Sequence, residues 1–205
     1  NCTPQASPSL RSLISSLLAR ESGHVQVTIW NNGPNPTTER SGLIDHLRSI
    51  PGIDTKYVET LENRSLSEIY NTFLRTNKSS GYLFLDHDSV VNKDHINAIL
   101  QSEDADITVP HIIVHGKTEG PIPNGKKIVD DALFRLSPQD RFMAIGSGLY
   151  IKRRLLLKLE KVFSSAFDEN YALYGVDTTF WLRVQSISST EIIEVSCTSE
   201  LIHSL

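Results

Sequence analysis

Cysteine is almost missing from this chain, and the two that occur, Cys2 and Cys197, stand far apart with no Cys-x-x-Cys spacing. That excludes a structural zinc site of paired thiolates and a disulfide-stapled miniature fold, leaves at most one long-range disulfide, and points to a reducing compartment. No apolar run approaches the roughly 20 residues that span a bilayer. The first residues, NCTPQASP, have neither the charged start nor the apolar centre of a secretion signal. An excess of basic charge is lacking too. With 20 Lys and Arg against 24 Asp and Glu the net charge is −4, so no global field favours nucleic acid as a partner. Internal repeats are absent. These absences leave one ordinary domain of 205 residues, long enough to bury a core without staples. It is expected to be cytoplasmic and to have no transmembrane segment. Asn1, Asn63 and Asn77 each begin an N-glycosylation triplet, which carries little weight without a secretion signal.

What is present centres on Gly81–Val91, GYLFLDHDSVV. Tyr82 to Leu85 are too few and too uniformly apolar for a surface helix and read as a buried strand that ends in Asp86 and Asp88, with His87 between them. Ligands of open α/β sheets bind beyond the carboxyl ends of strands. Two neighbouring carboxylates repel unless a cation joins them, and hard oxygen ligands suit Mg2+ or Mn2+ with positions left for a substrate's phosphates. Asp-x-Asp alone is a common pattern and also fits an ordinary acidic turn.

The rest of the chain alternates strand and helix. Ser7 and Pro8 open a helix whose apolar face is Leu10, Leu13, Ile14, Leu17 and Leu18, ended by Gly23. Val25 to Trp30 alternates as a strand and breaks into NNGPNP. A helix from about Thr38 to Ile50 stops at Pro51-Gly52, and a strand follows over Thr55–Val58. Ser65-Leu66-Ser67-Glu68 is a capping box. Asn92 can cap a helix through Leu100, and Ile107–Pro110 begins another strand. Gly116, Gly120, Pro121, Pro123 and Gly125 predict a mobile loop. Patterned segments resume at Phe142–Ile151, Arg154–Val162 and Thr178–Val184. This alternation predicts a three-layer α/β/α domain with a mainly parallel central sheet.

YLFLDHDSV, Asn63-Arg64-Ser65 with Tyr70-Asn71, and the acidic segment Phe167-Asp168-Glu169 with Tyr174-Gly175-Val176-Asp177 together resemble the inverting GT-A glycosyltransferases of family 2, particularly bacterial rhamnosyltransferase-like members. The resemblance covers nearly the whole chain. It implies a GT-A fold over residues 1–205, with a nucleotide-sugar-binding half (1–110) and an acceptor-side half (111–205). It implies transfer of a sugar from a nucleotide diphosphate donor, dTDP-rhamnose as first trial, to a hydroxyl of a glycan or lipid-linked acceptor in surface polysaccharide synthesis. It places Asp86 at the ribose and Asp88 on a Mn2+ or Mg2+ ion, with His203 a late histidine ligand. Asn32, Asn63 and Asn71 fall on the nucleotide side, and Gly146, Ser147 and Gly148 line the acceptor side. The resemblance implies that Asp177 is the catalytic base, and its place before an apolar-periodic stretch predicts that it is also a helix cap. Peripheral attachment at the inner face of the membrane fits a lipid-linked acceptor.

Each of these residues also has a plainer reading. The asparagines suit turns and helix edges, the glycines a bulge, and His203, like His111 and His115, an ordinary histidine. Lys126-Lys127 and Lys152-Arg153-Arg154 either steer an anionic substrate or are solvated charge. Two departures from the family stand out. Asn1 matches an asparagine that follows the family's first strand, so either the sequence begins after that strand or the sheet lacks it. Asn31 replaces an acid in the base-binding loop. Two other functions stay open. One is a haloacid-dehalogenase-type phosphatase with Asp86 as nucleophile, Asp88 as acid–base, and Lys126 or Lys127 and Asp130-Asp131 as remaining parts. The other is a catalytically inactive GT-A-like binding domain.

Overall fold

A computed structural model describes residues 7–20, 23–36, 42–101 and 104–204. Cys2, Asn1 and the expected start of the second helix near Thr38 lie outside them. Local sequence sets the helix starts. Helix α1 (Pro8–Leu18) begins where the Ser7 hydroxyl accepts the Leu10 N–H, with Pro8 at its first position. It stops at Leu18, short of Gly23, and Leu18 is exposed rather than part of the buried face. Strand β1 (Val25–Asn31) is followed by α2 (Gly42–Ser49) and by β2 (Ile53–Glu59), which pairs with β1 in parallel. Ser65 caps α3 (Leu66–Thr76) by accepting from Glu68 N–H. Strands β3 (Gly81–Leu83) and β4 (Val90–Val91) bracket the Asp86–Asp88 turn. Asn92 then caps α4 (Lys93–Gln101) through a 2.8 Å bond from His95 N–H.

Strand β5 (Ile107–Val114) is the axis of the sheet. Its alternation divides the core. Ile107 and Val109 pack with α3, and with α5 (Arg153–Glu160) and α6 (Val176–Ile187), on one face. Ile112 and Val114 pack with α1, α2 and α4 on the other. Three layers result, as the alternation predicts.

The region expected to be a mobile loop instead contains β6 (Lys117–Gly120), a hairpin partner of β5, and β7 (Ile122–Pro123), paired with β9 (Phe142–Met143). Its glycines and prolines mark the turns between short strands. The segment 142–151 likewise divides into β9 and β10 (Tyr150–Lys152). Two further strands have no counterpart in the sequence reading: β8 (Ala132–Arg135) and β11 (Glu194–Ile202), the latter at nine residues among the longest elements. The order is β3-β10-β5-β11-β4, with β6 on β5 and β8 on β11. The expectation of a mainly parallel sheet holds only at β1–β2 and β5–β11, and the other pairings are antiparallel. The reason is connectivity: β6 to β10 enter without crossover helices, which parallel neighbours require.

β3 and β5 are both antiparallel to β10, and β11 is parallel to β5. The carboxyl ends of β3, β5 and β11 therefore lie at one end of the sheet. A cleft of about 360 Å3 separates β1 from β3, lined by Val27 and Ile29, Tyr82 and Leu83, and by Leu13 and Leu17 of α1. Neither β1 nor β3 has a ladder partner on that side among the described residues. No described helix is long and apolar enough to cross a membrane.

Candidate functional site

Asp86 and Asp88 leave β3 in a tight turn closed by Ser89 N–H to the Asp86 carbonyl. His203 reaches them from β11, 115 residues further on. Two features of the sheet deliver it. β4 pairs with β11 so that Val90 faces Ile202, which puts the next residues, Ser89 and His203, opposite each other. A bulge between Cys197 and Glu200, with Ser199 at φ 65°, adds one residue to β11 against β5. That extra residue turns Leu201 to the opposite face from Val195 and Cys197. The His203 Nδ1 comes within 3.6 Å of Asp88 Oδ1. Ligand atoms of Asp86, Asp88 and His203 all lie within 4.8 Å of one another, so the three could hold a metal ion. Two hard carboxylates and an imidazole fit Mn2+ well and Mg2+ through its oxygen ligands.

Asp177 joins this cluster from α6. The Gly146 N–H donates to its carboxylate, and the negative charge of Asp86 is close enough to raise its pKa. Burial is the larger cause, and together they push the Asp177 carboxyl up to about 6. A Cβ on Gly146 would lie 2.7 Å from Asp177 Oδ1, so only glycine allows this approach. Asp177 is not the helix cap expected from sequence. Gly175 takes that position in a left-handed conformation, and Asp177 is the second helical residue, where a carboxylate still meets the positive end of the helix. Trp181 Nε1 donates to Ala144 carbonyl at 2.9 Å and Gln185 Nε2 to Phe142 carbonyl at 3.1 Å. These bonds fasten the strand before Gly146 to the helix that carries Asp177.

Tyr70 links the two carboxylates, and the sequence reading missed it. Its hydroxyl hydrogen-bonds Asp86, and the Asp177 charge also acts on it. Burial and these two anions hold the phenol well above its ordinary pKa, so it stays a proton donor. The ring is fixed against Phe84 at 4.5 Å and Phe167 at 5.0 Å. Burial also raises the Asp86 pKa, opposed by His203. The available signal was Tyr70's position on the buried face of α3.

Other expected residues fall elsewhere. Asn71 is buried, and its amide binds the Phe167 carbonyl, the Phe167 N–H and Glu169 Oε1. It braces the segment before α6 through these bonds. Asn32 accepts from Thr60 Oγ1 and Arg64 N–H, and its amide donates to the Arg64 carbonyl and to Asn63 Oδ1. Asn32 and Asn63 thus tie together the loops beyond β1 and β2. Asn31 bonds Glu59, its register partner, so an acid stands beside the position where the family has one. Gly148 faces the core: a Cβ there would meet Pro110 Cγ at 2.5 Å, and φ is +81°. Ser147 is wholly buried and accepts from Asp86 N–H at 3.0 Å, so it supports the Asp86 turn instead of lining an acceptor surface.

The basic clusters are also elsewhere. Lys152 pairs with Gly81 at the far end of β3, Arg153 reaches the Tyr82 hydroxyl, and Arg154 binds buried Asp106. Lys127 pairs with Glu119. Asp131 takes His111 and Thr198. Lys127 and Asp131, two of the remaining parts of the phosphatase reading, are thus held in other contacts. His115 occupies the turn between β5 and β6.

His95, unremarked in the sequence, clasps the site from behind. It is wholly buried, with Nε2 donating to the Gly148 carbonyl at 3.0 Å and Nδ1 at 2.8 Å from Ser199 Oγ in the β11 bulge. Burial holds it neutral, with a pKa lowered to about 4.

No family model matches the sequence, and no curated protein matches it. Solved structures do. The crystal structure of S. aureus TarS 1–349 superposes with a TM-score of 0.66 at 14% identity, covering 100% of this chain and 58% of that one. A crystal structure of S. aureus TarS gives 0.63 at 13% identity, covering 96% and 34%. The chain thus spans little more than half of the shorter TarS chain and about a third of the longer. At these identities the likeness is one of fold, and that fold is the GT-A, nucleotide-diphospho-sugar transferase fold.

Proposed function

We propose that this chain is a metal-dependent, inverting glycosyltransferase that moves a sugar from a nucleotide diphosphate to an acceptor hydroxyl. The observation that carries this reading is the convergence of Asp86, Asp88 and His203 with Asp177 at the carboxyl end of a GT-A sheet. TarS, a GT-A-like glycosyltransferase, has the same fold. Asp88 and His203, with Asp86 beside them, would hold Mn2+ or Mg2+. When bound, such a cation offsets charge on a leaving diphosphate.

The chain's own residues supply the remaining work. Tyr70 donates to Asp86 and keeps that carboxylate turned into the site. Asp177 takes the proton of the acceptor hydroxyl as it attacks the anomeric carbon. A carboxyl titrating near 6 is still mostly ionised at neutral pH, yet basic enough to accept that proton. The donor bond breaks on the opposite face, so configuration inverts and no covalent intermediate is needed. Asn32 and Asn63, bracing the loops beyond β1 and β2, border the nucleotide, and Gly146 borders the acceptor side. The acceptor is a glycan or lipid-linked hydroxyl of surface polysaccharide synthesis, reached in the cytoplasm at the inner membrane face.

The test is a panel of nucleotide sugars, dTDP-rhamnose first, incubated with the protein, Mn2+ and a glycan library, with transfer read by mass spectrometry. Transfer that ceases with chelator supports the proposal. Donor hydrolysis and transfer both absent across the panel, with donor binding retained, would make the chain a binding domain.

A further inference from the structure

Behind the Asp86–Asp88–His203 cluster lies a pair of wholly buried serines whose hydrogen bonds run in one direction. Ser147 Oγ accepts the Asp86 N–H at 3.0 Å and lies 2.6 Å from Ser89 Oγ, which in turn lies 2.9 Å from His203 Nδ1. The Ser147 hydroxyl proton needs an acceptor, since a buried unpaired donor is costly. Among the described contacts Ser89 Oγ is the oxygen that offers itself. Ser147 therefore donates to Ser89. Ser89 then turns its own proton to its other neighbour, and the imidazole Nδ1 accepts it. A neutral imidazole with an accepting Nδ1 carries its proton on Nε2. Reversing the chain would give Ser147 two incoming bonds and strand its proton.

We infer that Ser89 competes with the metal for His203. Nδ1 is the ring nitrogen nearest Asp88, at 3.6 Å, and its single lone pair takes the Ser89 hydroxyl. Coordination through that nitrogen requires Ser89 to let go. Asp88 is itself held by Ser204 Oγ at 2.6 Å, so the second ligand is also hydrogen-bonded at rest. The free protein therefore binds the cation weakly, and tight binding comes with the donor, whose diphosphate oxygens add ligands. Ser89 and Ser147 are positioning residues that set the tautomer of the histidine and the order of loading. This rests on the metal reading of the site.

The first measurement needs no variant and no metal. In protein carrying 15N-histidine at mildly alkaline pH, His203 should show its proton on Nε2 and an accepting, unprotonated Nδ1, assigned by loss of the signal in His203→Ala. A proton on Nδ1 would overturn the relay, whatever the site binds.

The second measurement is titration with Mn2+ alone, followed by electron paramagnetic resonance of the free ion. Loss of one competing hydrogen bond should tighten Mn2+ binding by roughly 2- to 12-fold in Ser89→Ala, and the gain should vanish in Ser89→Ala/His203→Ala. Weaker or unchanged binding by a folded Ser89→Ala protein would refute the competition. A merely structural role would lower its melting temperature and leave Mn2+ affinity alone. No Mn2+ binding by any form, even with a nucleoside diphosphate present, would bring down the metal reading itself, while the tautomer result would still stand or fall separately.

Discussion

Replacing Asp177 with asparagine should leave the protein at least as stable at neutral pH and nearly inactive. The Asp177 carboxyl titrates near 6 in the folded chain, against an ordinary value of 3.8, mainly because it is buried and also because Asp86 repels its ionised form. A raised carboxyl pKa means that the folded state binds the proton more tightly than the unfolded state does. Its contribution to stability is therefore present at low pH and is lost as pH rises from about 4 through 6. Taken in full, at 1.36 kcal/mol per pH unit, the ionised group opposes folding at neutral pH by up to about 3 kcal/mol. Part of it faces solvent and part of the coupling belongs to Asp86, so about 1–2 kcal/mol is the working figure. Losing an anion in the first turn of α6 takes back about 0.3–1 kcal/mol. Asparagine still offers an oxygen to the Gly146 N–H.

Asp177→Asn should consequently match or exceed the parent at pH 7, with a melting temperature higher by zero to a few degrees, at roughly 2–4 °C per kcal/mol for a chain of this size. The gap should close as pH falls from 6 to 4. Glycosyl transfer should drop by roughly a hundredfold or more, because the proton acceptor is gone. Thermal unfolding across pH 4–8 and initial transfer rates on the same preparation test both halves. A variant less stable than the parent by more than 1 kcal/mol at pH 7, or a gap independent of pH, would refute the electrostatic account. Near-normal transfer would refute the base. The next carboxylates in sequence are already engaged, Asp168 with Arg183 and Asn170, and Glu169 with Asn71 and Arg75.

Three further outcomes are expected. Asp88→Asn should remove most of the Mn2+ dependence of donor binding, since a neutral amide is a poor ligand for a hard cation; calorimetry with and without chelator reads this, and chelator-insensitive binding by the parent would contradict the metal assignment. His95 works against acid stability: its folded pKa near 4 lies below the ordinary 6.5, so stability present above 6.5 is lost as pH falls toward 4. His95→Gln should lose that slope, at a cost of about 1–3 kcal/mol at pH 7 for the disturbed bonds to Gly148 and Ser199; an unchanged acid slope would count against it. The cleft between β1 and β3 has the character of a strand position, lined by apolar side chains and flanked by two strands that have no ladder partner on that side among the described residues. A designed seven-residue Val- and Ile-rich strand added ahead of residue 1 should raise amide protection in β1 and β3, while the same strand broken by a central proline should not; equal protection in both would remove the idea.

Much of the framework is local and so is legible. Ser7, Ser65 and Asn92 sit one residue before the helices they cap because capping needs only a side-chain oxygen and an N–H two or three residues on. The apolar run into Asp86-x-Asp88 reads as a strand ending in carboxylates for the same reason: one short segment carries both parts. β11 was invisible because its bulge breaks the alternation, Val195 and Cys197 facing one layer and Leu201 the other. The β5–β6 hairpin and the short strand β7 were hidden by the glycines and prolines around them.

The sequence by itself determined the alternation of strand and helix, the capped helix starts, and the pair of aspartates delivered to the end of a strand, since each depends on neighbours a few residues apart. Only the tertiary structure decided what surrounds those aspartates. The approach of His203 depends on the pairing of β4 with β11 and on a one-residue bulge. The direction of Asp177 depends on the absence of a side chain at Gly146, 31 residues earlier. Asn71, Ser147 and Gly148 have the residue types of a binding site, yet their polar groups and close contacts are taken up by partners far away in the chain. A hydrogen bond made across the fold spends a side chain before any ligand arrives, and no pattern of neighbours in sequence records that it has been spent.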